Sequence, residues 1–223
     1  MYNSAMDNPW RQLPPTTPYI LHEDLPFISS FNEKAAIDHK IVKDILPEPF
    51  LGNITDAKVI LLNLNPGFSE KDIFWHKQKE FISENMKNLL HESNPPFYLL
   101  NTKFRDSGGF IWWHAHLKQF ISLLSLDTIT QTFMCIEYFP YHSKRYKWMP
   151  IISSQIYSFY LVREAIKRRL PIIIMRGKRL WLESIPELSI YPYSNLNSAQ
   201  NVSITRNNLP TNVFDKIVEF LSQ

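Results

Sequence analysis

The stretch Val59-Ile60-Leu61-Leu62-Asn63-Leu64-Asn65-Pro66-Gly67-Phe68 decides how this chain folds. An apolar run is cut off by Asn65-Pro66-Gly67, which reads as a buried strand ended by a turn. Proline pre-sets φ and glycine accepts the backbone angles that a tight turn needs. The turn leaves Asn65 at the carboxyl end of a strand. In open α/β sheets, ligands bind outside that end.

Outward from this strand, residues 133–139, 171–175 and 188–193 have similar apolar, β-rich character. Helical periodicity fills the intervals. Trp113, Leu117, Phe120, Ile121 and Leu124 recur at three- and four-residue spacing, and Ile156, Tyr160, Val162 and Ile166 mark a second helix. That second helix ends in Lys167-Arg168-Arg169, whose charges suit the helix dipole. A last helix over 212–221 presents Val213, Phe214, Ile217, Val218 and Leu221. Residues 1–50 read as an irregular arm with a helix over 33–46, closed by Pro47, Pro49 and Gly52. Residues 69–106 read as a helix with a lid-like insertion. Strands alternating with helices predict an α/β fold, a three-layer α/β/α sandwich around a central, mostly parallel sheet of about four strands. One domain over 1–223 is expected.

Composition narrows the function. Charged residues are 20% and hydrophobic ones 44%, which excludes a disordered chain. The net charge of +3 permits nucleic-acid binding without demanding it. Aromatics reach 14%, enough for both a packed core and base-stacking surfaces. The single Cys135 excludes an internal disulfide and a cysteine-based zinc cluster, and a reducing cytoplasm is the expected setting. No apolar run approaches the roughly 18 residues of a membrane span, and residues 1–18 lack the apolar core of a signal peptide. Gly-x-Ser-x-Gly, Gly-Lys-Ser/Thr and Gly-x-Gly-x-x-Gly are all missing, which counts against the common hydrolase and nucleotide-binding sites.

Each expected strand is followed by polar residues: Asn65-Pro66-Gly67, then Glu137 through Ser143, then Arg176-Gly177-Lys178, then Asn197 through Asn201. In a parallel sheet these groups converge on one edge. Glu137 sits in an apolar run and needs a partner if buried. Two readings stay open: a structural pairing with Arg145 or Arg176, or a catalytic carboxylate. His142 is either a donor or acid in the cleft or a structural histidine. His114 and His116 are two apart on a helix and cannot face one way, so no metal site is expected there. Trp112 and Trp113 read as packing residues. Lys144, Arg145 and Lys147 read as phosphate contacts or as a solvated loop, and Arg176, Lys178 and Arg179 suit an anion.

Leu62-Asn63-Leu64-Asn65-Pro66-Gly67-Phe68-Ser69 resembles the first active-site motif of the uracil-DNA glycosylase superfamily. The closest branch is the mismatch-specific one, whose motif reads Gly-x-Asn-Pro-Gly, with Asn63 standing here in place of Gly. The segment Asn197-Ser198-Ala199-Gln200-Asn201-Val202-Ser203 resembles the Asn-type version of the last motif, without its Pro. The resemblance implies a DNA glycosylase acting on uracil or another modified base, in base excision and DNA repair, as a monomer without cofactor or metal. It implies Asn65 as the water-positioning residue and Asn197 or Asn201 as the hydrogen-bond donor to the departing base. Asn63, Pro66, Gly67, Phe68, Phe74 and Trp75 would hold or stack the base, and Ser198 and Ser203 would join the cations on phosphates. Val202 or Ile204 would wedge into the duplex. A non-cleaving nucleic-acid-binding module on the same fold is the alternative.

Overall fold

The computed structural model describes residues 6–198 and 200–223. Five strands form one sheet: β1 Phe50–Leu51, β2 Val59–Asn63, β3 Phe133–Glu137, β4 Ile172–Ile174 and β5 Ser194–Asn195, in the order β1-β3-β2-β4-β5. β2 pairs in parallel with both β3 and β4, β4 pairs in parallel with β5, and β1 is antiparallel to β3. The fold is the three-layer sandwich expected from the alternation of elements.

Both sheet faces are buried, and strand alternation shows why the runs had to be continuously apolar. Ile60, Leu62, Met134, Ile136, Ile172 and Ile174 face one core, which holds Trp10, Trp181 and helix α7, Gln155–Lys167. Val59, Leu61, Phe133, Cys135 and Ile173 face the other. That second core is closed by α4 Gly108–His116, α5 Lys118–Leu124 and α10 Val213–Leu221.

Several expectations need correction. The helix expected over 33–46 is instead α1, Leu25–Lys34, followed by a single 3-10 turn, Ile37–His39. The reason is Asn32. Its side chain accepts from Ile41 N at 2.7 Å and donates to Ile41 O at 2.9 Å, which holds that residue in place of a helical bond. The strand expected over 188–193 is absent. Pro186 starts a short helix, Pro186–Ser189, whose Leu188 inserts into the core, and pairing with β4 begins at Ser194. The periodic run through Leu124 is two helices broken at Leu117. On α7 the buried face is Tyr157, Leu161, Val162 and Ala165, while Ile156 is 44% exposed. Residues 69–106 form α2 Glu70–Trp75 and α3 Lys79–Leu89, then two 3-10 turns. Phe97 through Leu100 are buried in the second core, so this part of the insertion is no lid.

β1 was not expected. It is two residues long, and Gly52 ends it with φ +107°, a conformation few side chains tolerate. A Cβ there would also sit 2.7 Å from Phe133 O. Because β1 runs antiparallel, its beginning lies at the edge where β2, β3 and β4 end. That brings Glu48 to the carboxyl edge, anchored by its N–H donating to Pro140 O at 3.1 Å. No helix among the described residues is long and apolar enough to cross a membrane.

Candidate active site at the carboxyl edge of the sheet

A cavity of about 560 Å³ opens at this edge. Asn63 through Ser69 supply its floor, Glu137 and residues 142–146 one side, and Arg176 the end of β4. The segments beyond β2 and β3 stay paired. Tyr138 N donates to Asn63 O at 3.2 Å and Phe139 N to Leu64 O at 2.9 Å, so the floor is a continuation of the sheet.

Asn65 is half-buried on this floor, and its amide is fixed. Nδ2 donates to Pro66 O at 2.9 Å and to Ser143 Oγ at 3.1 Å. Ser143 in turn donates its hydroxyl hydrogen to Arg145 O at 3.3 Å, so its oxygen faces Asn65 as an acceptor. A carbonyl can only accept, so the amide orientation is settled: both hydrogens are used, and Oδ1 is left to accept from a bound molecule.

Asn63 and Glu137 are register partners at the last rung of the β2–β3 ladder. Period-two alternation puts both on the face of Leu61 and Cys135. Asn63 Nδ2 donates to Glu137 Oε1 at 3.0 Å. Asn63 Oδ1 and Glu137 Oε2 are buried without partners. Glu137 therefore pairs with neither Arg145 nor Arg176; Asn63 holds it. Burial pushes its carboxyl up to about 8, and the nearby Glu48 adds to the rise, against the lowering effect of the Asn63 bond. The rise favours the protonated form, which can donate, while the Asn63 bond and the Arg176 charge act against it.

Three further groups meet at the wall: Glu48, His76 and His142, all buried. His142 Nδ1 lies 2.7 Å from Gly67 O, so Nδ1 carries the hydrogen and donates it. Its Nε2 has no hydrogen-bond partner and faces Glu48 Oε2 at 3.8 Å, beyond hydrogen-bonding range. Glu48 Oε1 accepts from the Tyr98 hydroxyl. His76 closes α2, lies edge-on to His142 at 5.4 Å between ring centroids, and keeps a buried Nδ1 without a partner. Burial and His142 push His76 down to about 3, so its ring is neutral, and burial raises Glu48.

The upper walls are aromatic. Phe68, Trp75, Trp112 and Trp113 line the cavity. Trp113 is buried, while Trp112 is half-buried with His116 stacked on it at 4.0 Å. Trp112, expected as packing alone, is thus a wall of the site. Phe74 is 60% exposed and outside the wall, touching Trp75 edge-on. Lys144, Arg145 and Arg176 stand at the rim, with Asp38 drawing Lys144 to 3.1 Å and Arg145 to 3.9 Å. Lys147 and Lys178 are exposed outside the lining, and Lys178 lies over the Tyr193 ring.

The loop resembling the last motif does not join the site. None of the described lining residues comes from 197–204, and Ala199 lies outside the described residues. Asn197 Nδ2 donates to Asn207 O and Leu209 O, so no hydrogen remains for a departing base. Asn201 Oδ1 accepts from Ser203 N, and Ser198 Oγ accepts from Asn201 N. Asn208 Nδ2 clamps the turn by donating to Asn201 O and Ser203 O. Val202 and Ile204 are core residues, which removes them as wedges.

Sequence reading missed Glu48, His76 and Trp112. Glu48 and His76 lie 28 positions apart in the chain, and neither sits in a spaced motif. Only the antiparallel β1 and the end of α2 bring them to His142. Compared with protein-family models, with curated proteins and with solved structures, the chain finds no match.

Proposed function

We propose that the protein is a DNA glycosylase, hydrolysing the N-glycosidic bond of uracil or another modified base flipped into the cavity. The observation that carries this reading is the fixed amide of Asn65. With both Nδ2 hydrogens used, its Oδ1 accepts a hydrogen from water and orients the water's lone pair toward the sugar. As the bond breaks, negative charge grows on the base, and a donor aimed at it lowers the barrier. Glu137, in its protonated form beside Asn63, is that donor. An extruded base needs an aromatic surface to replace the stack, and Trp112, Trp75 and Phe68 offer it. Lys144, Arg145 and Arg176 at the rim suit the phosphates. In this reading the chain works as a monomer on DNA in a reducing cytoplasm, in base-excision repair.

A second reading, a module that binds a base without cutting, is favoured by one observation: the loop that resembles the last motif spends its amides on itself. One experiment separates them. Labelled oligonucleotides carrying uracil, mismatched uracil, hypoxanthine or substituted pyrimidines, single- and double-stranded, are incubated with protein and treated with alkali. Alkali-labile cleavage that Asn65→Ala abolishes supports excision. Salt-sensitive binding with no cleavage on any substrate supports the module.

A further inference from the structure

We propose that Glu48, His76 and His142 form a binding site for a divalent first-row transition ion, with zinc the best match to the donors. The three side chains each offer a ligand atom, and these atoms lie within 4.8 Å of one another. All three residues are at least nine-tenths buried. His142 Nε2 and His76 Nδ1 are buried nitrogens with no partner among the described residues, on neighbouring rings beside the Glu48 carboxylate.

The surroundings are those of ligands held in place. A metal-bound imidazole normally donates its other ring hydrogen to an acceptor, which fixes the tautomer and aims the lone pair. His142 does this through Nδ1 to Gly67 O. A ligating carboxylate is normally hydrogen-bonded on its second oxygen, and Tyr98 provides that bond to Glu48 Oε1. Glu48 Oε2 then faces His142 Nε2 at 3.8 Å, a gap that two atoms sharing an ion between them can occupy and that a hydrogen bond cannot.

The donor chemistry selects the ion. Two imidazoles and one carboxylate bind zinc in catalytic sites and ferrous iron in non-haem sites, whereas magnesium and calcium take oxygen ligands. Three protein ligands leave a position open. Because Glu48, His76 and His142 all line the cavity, that position is available to water or to a bound molecule. The proposal stands apart from base excision, since metal uptake is measured without DNA.

The test uses the full chain without an affinity tag, stripped with a chelator. Zn²⁺, Fe²⁺ under anaerobic conditions, Mn²⁺ and Mg²⁺ are titrated separately by calorimetry, with metal content measured after dialysis. Co²⁺ is followed by its visible spectrum. One tightly held equivalent of Zn²⁺ is expected, with a Co²⁺ spectrum of low coordination number. Glu48→Gln, His76→Ala and His142→Ala should each abolish uptake, Tyr98→Phe should weaken it about 10–100-fold, and His114→Ala should leave it unchanged. Preference for Fe²⁺ over Zn²⁺ keeps the site and changes the ion. Should a ligand variant fail to fold, the wild type alone decides: its melting temperature rises with Zn²⁺ if the site exists. Folded wild type that takes up none of these ions overturns the proposal, as does uptake that persists in folded His76→Ala and His142→Ala.

Discussion

Asn63 and Glu137 face each other on the last rung of the β2–β3 ladder, joined by one 3.0 Å hydrogen bond, with one buried oxygen on each left unpartnered. The pair is an unfinished hydrogen-bonding edge, an acceptor on Asn63 and a protonated carboxyl on Glu137.

That proton makes stability depend on pH. Glu137 rises from an ordinary 4.5 to about 8 on folding. Between those values the folded chain holds a proton that the unfolded chain has lost, so stability falls as pH rises, by at most about 1.4 kcal/mol per pH unit. Glu48, also raised, acts with the same sign. Below about pH 6.5 the neutral buried rings of His76 and His91 act with the opposite sign, so urea melts of chelator-treated protein from pH 7 to 8.5 should show the decline, and Glu137→Gln should flatten it. An unchanged slope in that variant would sink the account.

Excision should follow the same proton. Activity on the best oligonucleotide is expected to fall as pH rises through about 8, where Glu137 ceases to donate. A pH–rate profile of Glu137→Gln, which cannot ionise, should be lower throughout and lack that limb.

Asn65→Ala should reduce excision by about 10²-fold or more and stability by about 1–2 kcal/mol, for two part-buried hydrogen bonds. Asn65→Asp gives a stronger base on paper, yet it sets carboxylate oxygens against Pro66 O. We expect it to be slower than wild type and less stable, as single-turnover rates and melting temperatures would reveal.

Trp112→Ala should weaken binding of a base-containing oligonucleotide by about 1–3 kcal/mol if the ring stacks a base. Phe74→Ala should leave affinity nearly unchanged, because Phe74 is outside the wall. Fluorescence anisotropy at fixed salt compares them, and equal losses would place the stacking surface elsewhere.

Gly52→Ala adds a Cβ against Phe133 O at positive φ. A cost of about 1–3 kcal/mol is expected, read as a drop in the urea midpoint.

What could be read from sequence was what neighbouring residues decide. β2 and β3 announce themselves because buried parallel strands must be apolar on both faces, and Asn65 follows from the proline and glycine after it. Ser194 and Asn195 have no strand character of their own, and β4 alone makes them β5. Phe50 and Leu51 are enclosed by Pro49 and Gly52 and become a strand only against β3. Glu48 was invisible for that reason, since its place depends on the direction of a strand two residues long. The amide of Asn197 looks like a site residue in sequence, and only the folded turn reveals that it and Asn208 staple the loop.

Those short strands have an effect beyond the cavity. They are the two margins of the sheet: β1 is buried, with Asn88 Nδ2 donating to Phe50 O and Gly52 N donating to Asn88 Oδ1, and β5 is only two residues long, so neither offers enough free backbone to template another chain. Edge-to-edge aggregation is thereby starved of a starting surface, even though the three inner strands are nearly all isoleucine, leucine, valine and other apolar residues. A variant that lengthened β1 past Gly52 would surrender that protection.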